Sequence, residues 1–379
     1  MPRSFELIGL DGANPLGFLA AIGTLVTLSE ARVGEPKLGW KLDRRWVPVL
    51  EAVPAADEDE LARVVANSLR GAPIAPQAEA RRAEAEREME KAKKAVKDKQ
   101  QEIKRRGLRG AERSEAIERE LHPLEREWEQ KRQAWLHALR EAVPRPELAL
   151  GKRIDCTPDE YRAHAAALAS QGQPKTRGPL DLLAAFGSDA RYEASSDAIE
   201  PTPFCFITGS GHQFFLETAR ELVARVATDG VSRVLFGPWD YRDEGLSMRW
   251  DPIEDRRYAL MDRDPTSSDN KPRTMWMANL LAYRALALFP SALSGRRLET
   301  AGWTRDERRF TAFTWPLWDH PLGLDGVRSL LQLRDLIQER PNPAILRARG
   351  IVAVYRAQRI EVGKGAQRKV NFSPARRVL

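Results

Sequence analysis

The stretch GLDGANPLGFLAAIGTL, residues 9–25, places Gly12 and Gly17 at the G-x-x-x-x-G spacing of a phosphate-binding loop. Such a loop needs Lys and then Ser or Thr after its second glycine, to reach the phosphates and to hold magnesium. Phe18 and Leu19 occupy those positions. The glycines are also too far apart for the dinucleotide pattern G-x-G-x-x-G. The stretch therefore favours a tight turn that starts a buried helix, with anion binding at the helix N-terminus left open.

A second candidate for chemistry is the run SMRWDPIEDRRYALMDRDP, residues 247–265. Clustered carboxylates can hold the magnesium ions of a nuclease, and the candidates are Asp251, Glu254, Asp255 and Asp262. Arginines interleaved with them favour internal ion pairs instead, and no base or nucleophile stands out. We therefore predict an ion-pair network, with no catalytic residue, metal site or cofactor, and keep a metal-dependent nuclease as the alternative.

GSGHQFF, residues 209–215, is another glycine turn before a helix. Gly209 and Gly211 leave backbone amides facing outward, and Ser210 and Gln213 add polar side chains. The motif predicts either a tight turn or a contact with a backbone phosphate.

Positive charge is concentrated in two segments, although the net charge is only +7. Residues 91–109 and 347–377 together have a net positive charge larger than that of the whole chain. Segregated charge of this kind is typical of proteins that follow a phosphate backbone, and the alternative is a solubilising surface. We predict nucleic-acid contacts at Lys104, Arg105, Arg106, Arg109, Ser210, Gln213, Arg356, Arg359, Lys364, Arg368 and Lys369, and base contacts from polar side chains such as Asn14 or Gln213.

The elements that position these residues follow from local patterns. Asn14 is a helix cap and Pro15 suits the first helical position, so a helix is predicted to about Ala31. Pro48 marks its strand as an edge strand. Further strands are predicted at PFCFI, SRVLF, GLSMRW, RRYALM, RRLET, RRFTAFTW and IVAVYRAQRIEV, and helices near 158–171, 273–289 and 321–338. Trp303, Phe310, Phe313, Trp315, Trp318 and Tyr355, which have basic neighbours, are read as a base-stacking surface or as core.

Residues 78–141 form the clearest element, because apolar residues recur there at coiled-coil spacing on both sides of KRRGLRG. Gly107 and Gly110 break the helix, so the segment predicts an antiparallel helical hairpin with a basic tip. It serves either as a structural arm or as a nucleic-acid contact. We predict a mixed α+β body with this inserted coiled coil, in three parts: 1–77, 78–141 and 142–379.

Composition bounds the class of protein. The 379 residues suffice for two or three domains, and 42% of them are hydrophobic. Cys156 and Cys205 form no zinc or disulfide pattern, and neither a membrane-spanning stretch nor a signal peptide is visible. We expect a cytoplasmic protein with no membrane partner.

Three segments carry a family resemblance: GLDGANPLGFLAAIGTL, RWDPIEDRRYAL and WPLWDHPLGLDGVRSLL. Together they resemble CRISPR-associated proteins, in particular the large subunits of type I-G (formerly I-U) Cascade complexes. Those chains also begin with a strand, a Gly–Pro–Leu turn and an apolar helix rich in small residues. This chain is shorter than such a subunit, and residues 78–141 carry no mark of that family.

The resemblance implies a non-catalytic subunit of an RNA-guided interference complex. Its partners would be guide RNA, target DNA and other Cascade subunits. It would bind the flanking motif and the displaced strand, and would dock a separate helicase–nuclease. The alternatives are the nuclease named above and a protein-docking scaffold.

Overall fold

The computed structural model describes residues 3–154, 156–171, 177–193, 198–207, 214–254, 273–305, 310–362 and 369–379. The chain divides into two compact units. The first unit comprises Met1–Gly71 and Lys152–Leu379, and the second comprises Ala72–Gly151. Because helices accompany several small antiparallel sheets, the chain has the mixed α+β fold that the sequence predicts.

The helices of the first unit are α1 (Pro15–Glu30), α2 (Glu58–Leu69), α6 (Pro158–Ser170), α7 (Arg177–Phe186), α8 (Phe215–Ala224), α9 (Thr228–Phe236), α10 (Trp276–Ala285), α11 (Leu324–Leu331) and α12 (Pro343–Arg347). Those of the second unit are α3 (Pro76–Arg105), α4 (Gly110–Ala116) and α5 (His122–Glu141), with a π-helical turn at Ile117–Leu121. Short 3₁₀ turns lie at Pro146–Ala149, Leu286–Leu288 and Arg334–Ile337. The strands are β1 (Arg3–Glu6), β2 (Lys37–Asp43), β3 (Arg45–Val53), β4 (Tyr192–Glu193), β5 (Ala198–Ile199), β6 (Asp243–Glu244), β7 (Arg273–Thr274), β8 (Ser291–Ser294), β9 (Arg297–Thr300), β10 (Trp303–Arg305), β11 (Phe310–Trp318), β12 (Ile351–Val362), β13 (Lys369–Phe372) and β14 (Arg376–Arg377).

Helix α1 forms the centre of the first unit. The Asn14 side chain caps it by accepting hydrogen bonds from the amides of Leu16 (2.8 Å) and Gly17 (3.3 Å), and Pro15 is its first residue. Its first fourteen residues, Pro15–Leu28, are all buried, as the apolar sequence predicts. It packs closely on α10: a Cβ atom at Gly23 would lie 1.7 Å from the carbonyl oxygen of Leu281.

The N-terminal sheet has the strand order β1-β3-β2, so the edge-strand prediction for Pro48 is wrong. Pro48 lies opposite Trp40 of β2, and on the other side its carbonyl accepts a hydrogen bond from Leu7, just after β1 ends. The nitrogen and carbonyl of a strand residue point the same way, so the missing N–H faces the point where the β1 ladder stops. A proline is tolerated there because the Leu7 carbonyl, which such an N–H would face, already accepts from the Leu10 amide at 3.0 Å.

The larger sheet has the order β10-β11-β12-β13, with β14 also paired to β12. Strand β12 coincides with the segment IVAVYRAQRIEV that the sequence predicts. The aromatic side chains of β10 and β11 lie in the core and not on a base-stacking surface. Trp315 and Trp318 are fully buried, and their indole nitrogens donate to the carbonyls of Gly12 (2.8 Å) and Leu38 (2.7 Å).

Three predicted strands are not formed among the described residues, and a fourth, RRYALM, lies outside those residues. GLSMRW, which follows β6, contains no strand. SRVLF belongs to helix α9, whose apolar residues Val231, Val234 and Leu235 are buried on one side. PFCFI contains no strand among its described residues, although Phe204 and Phe206 are buried. Short apolar runs suit a strand and a buried helix equally, so the local pattern does not decide between them.

Replacing Gly23 by Ala is expected to destabilise the first unit by about 3 kcal/mol, because the new methyl group collides with the Leu281 carbonyl. Gly326→Ala is the matched control. Gly326 lies in α11 with only the Leu322 side chain nearby, at 3.5 Å, so alanine is expected to be neutral or slightly stabilising. Urea unfolding of both variants measures the difference. Equal stabilities would contradict the close packing of α1 on α10.

Candidate nucleic-acid interface

The second unit is built around two facing helices, α3 and α5. Met89 near the middle of α3 packs with Trp135, Leu136 and Leu139 near the end of α5. Val96 and Ile103, further along α3, pack with Leu121, just before α5. The two helices therefore run in opposite directions, with one apolar side of α3 facing α5. Helix α3 ends at Arg105, before Gly107 with φ +66° and Gly110 with φ +54°.

The cations on one flank of α3 are paired. Lys99 and Arg106 both approach Glu120, with nitrogen–oxygen distances of 3.6 and 2.8 Å. The hydrogen bond from Arg106, together with both positive charges, lowers the pKa of the Glu120 carboxyl. Arg106, which the sequence predicts as a phosphate contact, thus has a carboxylate partner within the hairpin.

Over the C-terminal half of α3, the cations on the other flank are exposed, as are those at the turn. Lys93, Lys97 and Lys104 fall at positions i, i+4 and i+11 of α3, which share one side of a helix. Arg105 and Arg109 follow at the turn. None of these five side chains has a hydrogen-bond or ion-pair partner among the residues that the structure describes. Solvated, unpaired cations in a row are what a phosphate backbone needs.

The predicted contacts near the C-terminus divide into different environments. Arg356 is 5% exposed, and its guanidinium donates to Thr314 Oγ1 (2.8 Å) and to the carbonyl of Gln338 (2.6 Å). Burial accordingly lowers its pKa. Arg356 holds a chain segment in place and does not present its donors to a phosphate, contrary to the sequence-based expectation.

Arg359 and Lys369 differ from Arg356 in their surroundings. The Arg359 guanidinium pairs with the Glu361 carboxylate and lies over the Phe206 ring, 5.8 Å from its centroid. Lys369 is exposed at the start of β13, opposite Val362. The remaining predicted contacts, Ser210, Gln213, Lys364 and Arg368, lie outside the described residues.

The opening glycine loop directs its backbone amides inward. The amides of Gly9 and Gly12 donate to the carbonyls of Leu235 and Trp46, both at 2.8 Å. The Ala13 amide donates to Asp11 Oδ1 at 2.9 Å, and the Asn14 side chain accepts hydrogen bonds from the first amides of α1. Because these amides are occupied, the loop has no phosphate cradle of the kind that its glycine spacing suggests.

Asn14 also has a role that the sequence does not reveal. Its amide nitrogen donates to Asp251 Oδ1 at 2.9 Å, across 237 residues of chain. Asp251 is 3% exposed and also accepts a hydrogen bond from the Tyr241 hydroxyl at 2.8 Å. The Asn14 side-chain oxygen accepts from the first amides of α1 and its nitrogen donates to Asp251, so Asn14 holds the start of α1 and the Asp251 carboxylate together. The structure does not present it as a base contact.

Glu254, the second carboxylate of the predicted acidic cluster, is also buried. Ser247 donates to Glu254 Oε2 at 2.5 Å, and the Thr274 hydroxyl donates to Oε1. Burial, followed by the charge of Asp251, raises the pKa of Glu254 to about 8. Asp255 and Asp262, which the nuclease alternative also requires, lie outside the described residues.

Within the described ranges, no three His, Cys, Asp or Glu side chains are arranged to hold a metal ion. No helix in the same ranges has the length and apolar character needed to cross a bilayer. No protein-family model matches the sequence, and no curated protein shows significant similarity to it.

The raised pKa of Glu254 predicts the pH dependence of stability. The folded protein keeps a proton on Glu254 that the unfolded chain releases near pH 4.5. Below that pH both states carry the proton, so the free energy of unfolding has its full value with respect to this group. This stabilisation is lost as the pH rises from about 4.5 to about 8, by roughly 5 kcal/mol in total. Glu254→Gln, which stays neutral, is expected to flatten the decline of melting temperature across this window. Glu339→Gln, at an exposed position, is the control, and a decline of equal steepness in Glu254→Gln would contradict the assignment.

Proposed function

We propose that this chain binds nucleic acid, with the end of the helical hairpin as its main phosphate contact. The observation that supports the proposal most strongly is the difference between the two flanks of α3 over its C-terminal half. On one flank, Lys99 and Arg106 share the Glu120 carboxylate. On the other, Lys93, Lys97 and Lys104 project without described partners. A surface that only keeps the protein in solution gains nothing from segregating charge in this way. A surface that binds a polyanion does gain, because clustered cations attract its phosphates.

We further propose that the hairpin is a coiled-coil arm. Met89, Val96 and Ile103 are spaced by seven residues on the side of α3 that faces α5, which is the repeat of a coiled-coil seam. A rigid arm of this kind would hold the basic turn at a fixed distance along its axis.

The sequence resemblance described above supports a more specific assignment. In this proposal the chain is a cytoplasmic, non-catalytic subunit of a CRISPR RNA-guided interference complex. It contacts guide RNA and target DNA, binds the flanking motif and the displaced strand, and lies beside other Cascade subunits and a helicase–nuclease. The described carboxylates Asp251 and Glu254 accept hydrogen bonds from neighbouring side chains, so no described geometry favours the nuclease alternative.

The basic turn is tested by the triple variant Lys104→Glu, Arg105→Glu and Arg109→Glu. Arg106 is left unchanged because it stabilises the hairpin through Glu120. The variant is expected to bind double-stranded DNA at least about tenfold more weakly at moderate salt, since three phosphate contacts become repulsive. Fluorescence anisotropy with a labelled duplex measures the affinity.

The matched control reverses three exposed arginines elsewhere, Arg63, Arg87 and Arg140, and so makes the same change in net charge. It is expected to lose much less affinity than the turn variant. Circular dichroism and melting temperature establish that both proteins are folded. If the two variants lose equal affinity, or neither loses any, the turn is not the phosphate contact.

A further inference from the structure

A pocket of about 350 Å³ opens beside the glycine loop in the first unit. Its volume falls within the range of small-ligand sites, about 300–1,000 Å³. The loop, the start of β3, the segment after α9, residues 252–253 and residues 374–375 all contribute to its walls. Its lining includes Asp11, Asn14, Arg45, Trp239, Tyr241 and Ile253.

One wall of the pocket is aromatic and apolar. The half-buried Trp239 ring meets Tyr241 edge to face, with 6.0 Å between the ring centroids. The indole nitrogen donates to the Val234 carbonyl at 3.2 Å, which fixes the orientation of the ring. Ile253 adds an apolar side chain that is 42% exposed. This wall offers a flat surface of the type on which an unpaired base stacks.

The pocket lining also includes two charged side chains with unused hydrogen-bonding capacity. One nitrogen of the exposed Arg45 guanidinium donates to the Ile8 carbonyl, and its other donors have no partner in the described part of the chain. Asp11 Oδ1 accepts from Ala13, whereas Oδ2 has no described partner. The pocket therefore offers donors for an anion and an acceptor for an amino group, beside an aromatic wall.

The aromatic wall is held in place before any ligand arrives. Tyr241 has φ +52°, a left-handed conformation that costs a bulky residue about 1–3 kcal/mol. Its hydroxyl is anchored on Asp251, which is anchored on Asn14. Backbone strain that the surrounding structure enforces is typical of ligand-binding segments, since a rigid wall loses less entropy on binding.

We propose that this pocket binds a nucleotide: the base stacks on Trp239, an exocyclic amine of the base donates to Asp11, and Arg45 binds the attached phosphate. The inference rests on the proposed function for its choice of ligand class. The nucleotide has two sources, a free mononucleotide or an unpaired position in a single strand, and both present the same chemistry.

Isothermal titration with AMP at millimolar concentration tests the pocket directly. Unmodified protein is expected to show saturable binding, and Trp239→Leu is expected to weaken it about fivefold or more, the range for loss of one base-stacking contact. No saturable binding to the unmodified protein, or unchanged binding in Trp239→Leu, would overturn the proposal.

Arg45→Ala supplies a readout that a structural role would not change. Unmodified protein is expected to prefer AMP over adenosine, because Arg45 binds the phosphate, and Arg45→Ala is expected to lose that preference. Arg44→Ala, the neighbouring exposed arginine outside the pocket, is expected to keep it. A preference retained in Arg45→Ala would overturn the assignment of Arg45.

A competition experiment identifies the source of the nucleotide and separates this proposal from the preceding one. Displacement of AMP by a short single-stranded DNA supports a strand as the ligand, and its absence supports a free nucleotide. The hairpin charge-reversal variant is expected to bind AMP normally. If that variant keeps its duplex affinity while the pocket variants lose AMP, the hairpin proposal fails and the pocket stands. The converse result overturns the pocket alone.

Discussion

The first unit depends on the way in which helix α1 begins. The Asn14 side chain satisfies the Leu16 and Gly17 amides with its oxygen and the buried Asp251 carboxylate with its nitrogen. Each of these groups, if buried without a partner, costs about 1–3 kcal/mol. Asp251 in turn holds the Tyr241 hydroxyl, so one side chain connects the helix start, the acidic segment and the strained wall of the pocket. The glycine loop therefore has a structural role, because it connects α1 to the Asp251 segment, and its outer surface lines the pocket.

Local chemistry accounts for what the sequence predicts well. The cap at Asn14, the helix start at Pro15 and the long strand of IVAVYRAQRIEV each follow from neighbouring residues. Predictions that depend on distant partners fail. Nothing near Pro48 shows that β1 ends beside it, and nothing near SRVLF shows that its apolar side faces a helix-lined core. The hydrogen bond between Asn14 and Asp251 spans 237 residues and leaves no signal in either segment.

Predictions from charge at the candidate interface are limited in the same way, because they too depend on distant partners. A count of Lys and Arg identifies both basic segments, but it does not show which cations have partners. Arg356 is buried among carbonyls and Arg106 lies on Glu120, whereas Lys104 remains exposed. Arg45 and Trp239 lie outside both basic segments in the sequence, and no sequence motif marks either of them as a ligand contact. Only the fold shows that they share a pocket.

The salt dependence of DNA affinity tests the central claim, that unpaired cations of the hairpin bind phosphates, most directly. Each phosphate contact contributes about −0.9 to the slope of log K against log salt concentration. Neutralising Lys93, Lys97 and Lys104 with Gln is therefore expected to reduce the steepness by about 2.7. A variant whose slope equals that of the unmodified protein would contradict the account.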